Sequence, residues 1–166
     1  MAIDYRVIAA DASRLDEVEP LWKAMVEHHR MLTEHQLPVR TGDEAWRRRR
    51  DAYDAWLSSG QAWLLLAVAG TPQDQAAIGY AVVRLTGPAQ TWDLGEPVGM
   101  LESLAVAGHA RGNGVGTRLI DAARELLRAR GVGVWSVTLV AGNAGAARLY
   151  ERNGFRPFCT ELLGPV

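Results

Sequence analysis

The residues best suited to chemistry stand together in Arg111-Gly-Asn-Gly-Val-Gly-Thr117. Glycines at 112, 114 and 116 let backbone N–H groups come close to a ligand. A helix starting there adds the positive end of its dipole, so the loop is suited to phosphate. A nucleoside-triphosphate loop needs Gly-Lys-Ser/Thr, and this loop has no lysine. A dinucleotide fingerprint needs glycine where Thr117 stands and an acid about 20 residues on. Gly131 to Thr138 contains none, and only about 50 residues follow the loop, too few for the second half of a doubly wound dinucleotide fold. Other reactive types carry less. His28, His29 and His35 have no carboxylate at ligand spacing, which argues against a metal, and His109 reads as a solvent-exposed loop residue. Cys159 is the single cysteine. It can form no internal disulfide, lacks a neighbouring His/Asn signature for a nucleophile, and fits a reducing cytoplasm.

These groups need a frame, and periodicity supplies one. Residues 3–10, with Ile3, Tyr5 and Val7 in period two, predict a strand, and Asp11 or Ser13 can cap the helix that follows. Leu15, Val18, Leu21, Trp22, Met25, Val26, His29 and Leu32 give that helix, over about 13–35, one apolar face, with Pro20 expected to kink it. A second helix is expected from Asp43 to Leu57, closed by Gly60. Strands at Ala62–Ala69 and Ala77–Leu85 form an antiparallel pair, and 86–97 is loop. Then come a strand at Gly99–Ala107, the glycine loop, a helix at Val115–Arg130, a strand at Val134–Val140, a helix from Asn143 to about Arg152, and a last strand at Phe155–Leu163, bent at Pro157. That order implies an α/β fold with a mixed, mostly antiparallel sheet and helices on both faces.

The pattern Arg/Gln-x-x-Gly-x-Gly/Ala, met by Arg111, Gly114 and Gly116, resembles the acyl-coenzyme A loop of the GCN5-related N-acetyltransferases. Met100-Leu-Glu-Ser-Leu-Ala-Val106 resembles that family's fourth strand, and Asn143 to Phe155 resembles its second signature, with the alanine at 146 or 147. The likeness is specific over residues 98–158 and rests upstream on element order alone. It implies a single N-acetyltransferase domain over 1–166 whose parallel strands splay apart near Val106 and Val140.

The resemblance also assigns positions. The pantetheine arm would pair with the backbone of Leu104, Ala105 and Val106 as a pseudo-strand. The pyrophosphate would rest on N–H groups of Gly112, Asn113, Gly114, Val115, Gly116 and Thr117, with Arg111 adding charge or standing as a solvated loop residue. Asn143 would cap its helix, hydrogen-bond the pantetheine arm, or do both. Tyr150 is expected to be catalytic, its phenol of pKa about 10 giving a proton to a departing thiolate of pKa about 8.5. Glu102 has two open roles. An acceptor amine of pKa about 10.4 costs about 4.6 kcal/mol to hold neutral at pH 7, and Glu102 could take that proton. Strand alternation groups it with Met100, Leu104 and Val106, where burial would raise its pKa. Alternatively it pairs with an arginine of the first helices.

In Arg47-Arg-Arg-Arg50, Arg49 and Arg50 lie three and four residues past Trp46, beside the buried stripe. The resemblance puts the acceptor pocket against these helices. Arg50 is therefore the expected grip for a carboxylate on the acceptor, whereas Glu27, Glu34, Asp43 and Glu44 would suit a polyamine. The activity implied is transfer of acetyl from acetyl-CoA, as cosubstrate, to a primary amine of a small molecule by direct attack in a ternary complex, with no metal. Alternatives are a CoA-binding module without catalysis, or an acetyltransferase acting on a protein or peptide amine. With 48% hydrophobic and 22% charged residues and a net charge of −1, no nucleic-acid partner is expected. No apolar run approaches the about 20 residues of a membrane span, and a cytoplasmic protein able to pair as a homodimer is expected.

Overall fold

The computed structural model describes residues 3–33, 38–71 and 74–164. In chain order these form β1 (Tyr5–Ala10), a 3₁₀ turn (Ala12–Glu17), α1 (Glu19–Leu32), α2 (Gly42–Ser58), β2 (Ala62–Thr71), β3 (Asp74–Thr86), β4 (Val98–Val106), a short 3₁₀ turn (Gly108–Ala110), α3 (Val115–Arg128), β5 (Trp135–Val137) and α4 (Ala144–Arg152). The sheet runs β1-β2-β3-β4-β5 in space, antiparallel throughout except for the parallel β4–β5 pair.

Both sheet faces are covered, which explains why β2 is apolar almost without interruption. Leu64, Leu66 and Val68 meet Leu15, Val18, Trp22, Val26, Trp46 and Tyr53 from the 3₁₀ turn, α1 and α2. Leu65 and Ala67 face the other way, where Ala81, Val83 and Leu101 pack on Val115, Leu119, Ile120 and Ala123 of α3 and on Tyr150 of α4. At Gly99 the two ends of the parallel pair come close. A Cβ there would stand 2.9 Å from Leu127 Cδ1 and 3.0 Å from Trp135 Cβ, so the leucine end would have to shift and Trp135 to give way.

Three expectations need correction. The helix expected over 13–35 is two pieces, because Asp11 caps a 3₁₀ turn through Ser13 N (2.9 Å) and α1 begins separately at Glu19. Pro20 therefore lies in a first turn, where its missing N–H is not needed, and starts the helix instead of kinking it. The strand expected at Val134–Val140 keeps only Trp135–Val137. The strand expected at Phe155–Leu163 is absent among the described residues. β5 is too short to template a further strand, Pro157 has no donor, and Phe158, Leu162 and Leu163 are exposed.

A one-residue irregularity controls the site. Val82 pairs with Ser103 while Val83 pairs with Leu101, so Glu102 is an extra residue in β4. Without it Leu101 and Ser103 would share a face. With it Leu101 packs toward α3, while Ser103 reaches Tyr53 of α2. Glu102 and Ser103 thus both face α1 and α2, and the grouping of Glu102 with Leu104 and Val106 fails.

Candidate active site

The parallel pair runs from Gly99–Trp135 to Leu101–Val137 and stops there. Among the described residues, β4 from Glu102 to Val106 has a strand neighbour on its β3 side only. The bulge and the end of the pairing fall at the same residue, so a gap opens beside Glu102 and leads toward the glycine loop. Unpaired strand edges present a row of backbone donors and acceptors, which an extended chain of amides can answer.

Gly112 (φ 79°) and Gly114 (φ 77°) take left-handed backbone angles that L side chains resist. Gly114 is the N-cap of α3 and offers no side-chain acceptor. The loop braces itself through other atoms. Asn113 Nδ2 donates to the carbonyls of Ala110 (3.3 Å) and Arg111 (3.2 Å), and Tyr5 OH donates to Asn113 O (3.4 Å). Among the described residues none of the backbone N–H groups of Gly112 to Thr117 donates to a protein acceptor. They remain available at the positive end of the α3 dipole. Arg111 is exposed, and its Nε donates to Val106 O (3.3 Å), linking the loop to the last residue of the open edge.

Gly116 has a different use from the other two glycines. A Cβ there would meet Leu149 Cδ2 at 3.1 Å, so its absence lets α4 close on α3 and brings Asn143 and Tyr150 to the same side of the sheet as the loop. Asn143 Oδ1 accepts from Ala146 N (3.1 Å), as an N-cap does, and its Nδ2 has no acceptor among the described residues. Tyr150 is buried, edge-on to Phe155 (5.6 Å), which in turn packs on Trp135 (4.8 Å). Its hydroxyl makes no protein hydrogen bond among the described residues, and burial pushes its pKa up to about 12.

Glu102 is held on the opposite side. Arg49 Nη1 donates to one carboxylate oxygen (2.7 Å) and Arg84 Nε to the other (2.8 Å). Burial pushes the Glu102 pKa up, but the two guanidinium groups more than offset it and hold the carboxyl below its usual range, contrary to the expected rise. The Arg49 guanidinium lies over Trp22 (4.7 Å), Tyr53 (5.5 Å) and Trp56 (5.7 Å), and Arg84 lies over Trp56 (4.8 Å). Beneath them Tyr53 hydrogen-bonds Ser103 and approaches the Tyr80 hydroxyl at 3.5 Å, all three side chains buried.

Arg50, the residue expected to reach the pocket, turns away and pairs with Asp16 on the surface. Its neighbour Arg49 takes the inward place, because it lies one helical step from the Trp46–Tyr53 stripe on the side shared with Trp56. Arg84 was missed entirely. Its signal was present, as the one charged residue in the apolar stretch 77–85. His29 is half-buried, and burial, with a further push from His28, lowers its pKa. No group of three metal-ligating side chains occurs among the described residues, and His35 and Glu34 lie outside them. His109 and Cys159 are exposed.

An open sheet whose one parallel pair parts at a bulge, beside a glycine loop that opens a helix, is the arrangement that the acetyltransferase resemblance implies. The chain belongs to the GNAT family of acetyltransferases, whose family model matches residues 22–155. Among solved structures it is similar to the BH1408 protein of Bacillus halodurans, in a tetramutant form (TM-score 0.77, 18% identity, 97% of this chain and 99% of that one). It is similar also to a GCN5-related N-acetyltransferase of Ralstonia eutropha JMP134 (TM-score 0.77, 19% identity, 98% and 99%). A third is the aminoglycoside N-acetyltransferase AAC(6')-Iy in complex with CoA (TM-score 0.70, 17% identity, 100% and 97%). No curated protein matches the sequence. No helix among the described residues is long and apolar enough to cross a membrane.

Proposed function

We propose that this chain transfers acetyl from acetyl-CoA to a primary amine of a small molecule, by direct attack while both are bound. The observation that carries the reading is the continuity of the open β4 edge at 102–106 with the unanswered N–H groups of 112–117. Together they form a track of donors and acceptors ending in an anion cradle, which fits an amide-containing arm attached to a pyrophosphate. Leu104, Ala105 and Val106 would hold the arm, Gly112 to Thr117 the pyrophosphate, with Arg111 adding charge and Asn143 Nδ2 a further donor. Bound acetyl-CoA supplies an activated thioester.

Tyr150 would direct its hydroxyl proton at the leaving thiolate. Its raised pKa keeps the phenol fully protonated at neutral pH, so the donor is always present. Complete transfer to a thiolate of pKa about 8.5 is uphill by about 5 kcal/mol, so the main contribution of Tyr150 is a hydrogen bond to the charge developing on sulfur. For Glu102, the two arginines favour the ion-pair role. A carboxylate with lowered proton affinity is a poor acceptor for an ammonium proton, which would leave to solvent through the gap.

Calorimetry of acetyl-CoA binding tests the reading, with thiol release in the presence of amines as the activity readout. Acetyl-CoA should bind the native chain and not Gly114→Val, whose branched side chain at φ 77° would distort the cradle. Equal affinity in that variant, or no binding to either, refutes it.

A further inference from the structure

We infer that Arg49 and Arg84, held side by side by Glu102, form a grip for a carboxylate on the acceptor, so that the substrate is an amine of the amino-acid class. This rests on the acetyltransferase reading above. The gap beside Glu102 joins the two sheet faces: loop, α3 and α4 on one, Glu102 and the arginines on the other. An acceptor reaching the gap from the α1–α2 face meets these side chains first.

Two guanidinium groups face one carboxylate, and neither has another carboxylate partner among the described residues. One positive charge is left over in a half-buried setting, the side chains of Arg49 and Arg84 being only 27% and 28% exposed. An uncompensated charge there is unfavourable until an anion answers it.

Arg49 lies over three aromatic rings, which fixes its plane and leaves its N–H edge for in-plane hydrogen bonds. Only Nη1 of that edge meets Glu102. Arg84 gives Nε to Glu102, while its Nη2 faces the Met100 sulfur at 3.5 Å, a weak acceptor that a carboxylate would outcompete. Polyamines and aminoglycosides, cationic and without a carboxylate, would meet repulsion at this place.

Thiol release from acetyl-CoA tests the proposal with the protein amino acids, their carboxamides, spermidine and an aminoglycoside as acceptors. Turnover should be confined to free amino acids, and conversion to the carboxamide should lower kcat/KM about tenfold or more, since a charge-assisted pair becomes a neutral one. Arg84→Gln should raise the amino-acid KM by a similar factor with kcat and acetyl-CoA affinity little changed, and Arg84→Lys should recover only part of it. A purely structural role would move acetyl-CoA affinity and kcat as well. Equal use of acid and carboxamide, preference for spermidine or the aminoglycoside, or no turnover of any amino acid by a chain that binds acetyl-CoA overturns the proposal and leaves the family reading standing. Failure to bind acetyl-CoA removes the reading itself.

Discussion

Replacing Glu102 by glutamine removes one negative charge between two guanidinium groups without changing side-chain shape. Glu102 is 14% exposed and its partners 27% and 28%. The site is therefore drier than surface pairs worth about 0–1 kcal/mol, but wetter than buried pairs whose rupture costs about 3–5 kcal/mol. An intermediate loss of about 2 kcal/mol follows, partly because the glutamine amide turns an N–H toward one arginine's own donors. For a domain of this size that is a fall in melting temperature of about 4–8 °C, read by calorimetry at pH 7. The pH dependence has a definite sign. A carboxylate whose folded pKa is depressed contributes stability that is present above its unfolded pKa of about 4.3 and is lost as pH falls through the lower folded value. The gap between native and variant melting temperatures should therefore be full at pH 6–7 and close in acid. Adding Arg84→Met to Glu102→Gln should recover part of the lost stability, because it removes one of the two charges left uncompensated. An unchanged melting temperature at pH 7, or a gap that widens in acid, would refute the ion-pair assignment.

Tyr150→Phe should lower kcat by about 10²-fold with acetyl-CoA affinity unchanged in calorimetry. Activity of the native enzyme should show no limb from Tyr150 below about pH 10, since its folded pKa lies at about 12. Gly99→Val should destabilise the fold by at least about 1–3 kcal/mol, because its side chain would overlap Leu127 and the Trp135 Cβ; denaturant unfolding reads the loss. His29, whose pKa is lowered by burial, favours the neutral form in the folded state, so stability should fall as pH drops below about 6.5, and His29→Gln should flatten that slope between pH 7 and 5.

What the sequence made legible was whatever local chemistry dictates. The glycine loop, the capping Asn143 and the helices at 115 and 143 follow from positive φ, side-chain capping and 3.6-residue periodicity, and all occur. Gly116 was legible only as part of a phosphate loop, and its contact with Leu149 depends on where α4 docks. Arg49 and Arg50 differ by one helical step, and the choice between them is made by tertiary contacts with Trp22 and Asp16, tens of residues away. The strand at 155–163 looked as apolar as any other. A strand exists only against a neighbour, and β5 ends at Val137. Glu102 was misplaced for the deepest reason, since alternation assumes an unbroken ladder and a bulge leaves no mark in composition.

That single extra residue gives β4 two halves of opposite parity. Gly99 to Leu101 keep step with β5, and Ser103 to Val106 keep step with the helices on both sides, while the position between them belongs to neither count. A change of side chain at 102 leaves the inward and outward sequence of its neighbours intact, whereas deletion of the residue would move Gly99 to Leu101 onto the wrong faces. Selection can therefore vary the chemistry presented to the acceptor at this position without renegotiating the packing of the strand that carries it. Loss of the carboxylate at 102 should be felt through Arg49 and Arg84, and a change in length through the packing of the whole strand.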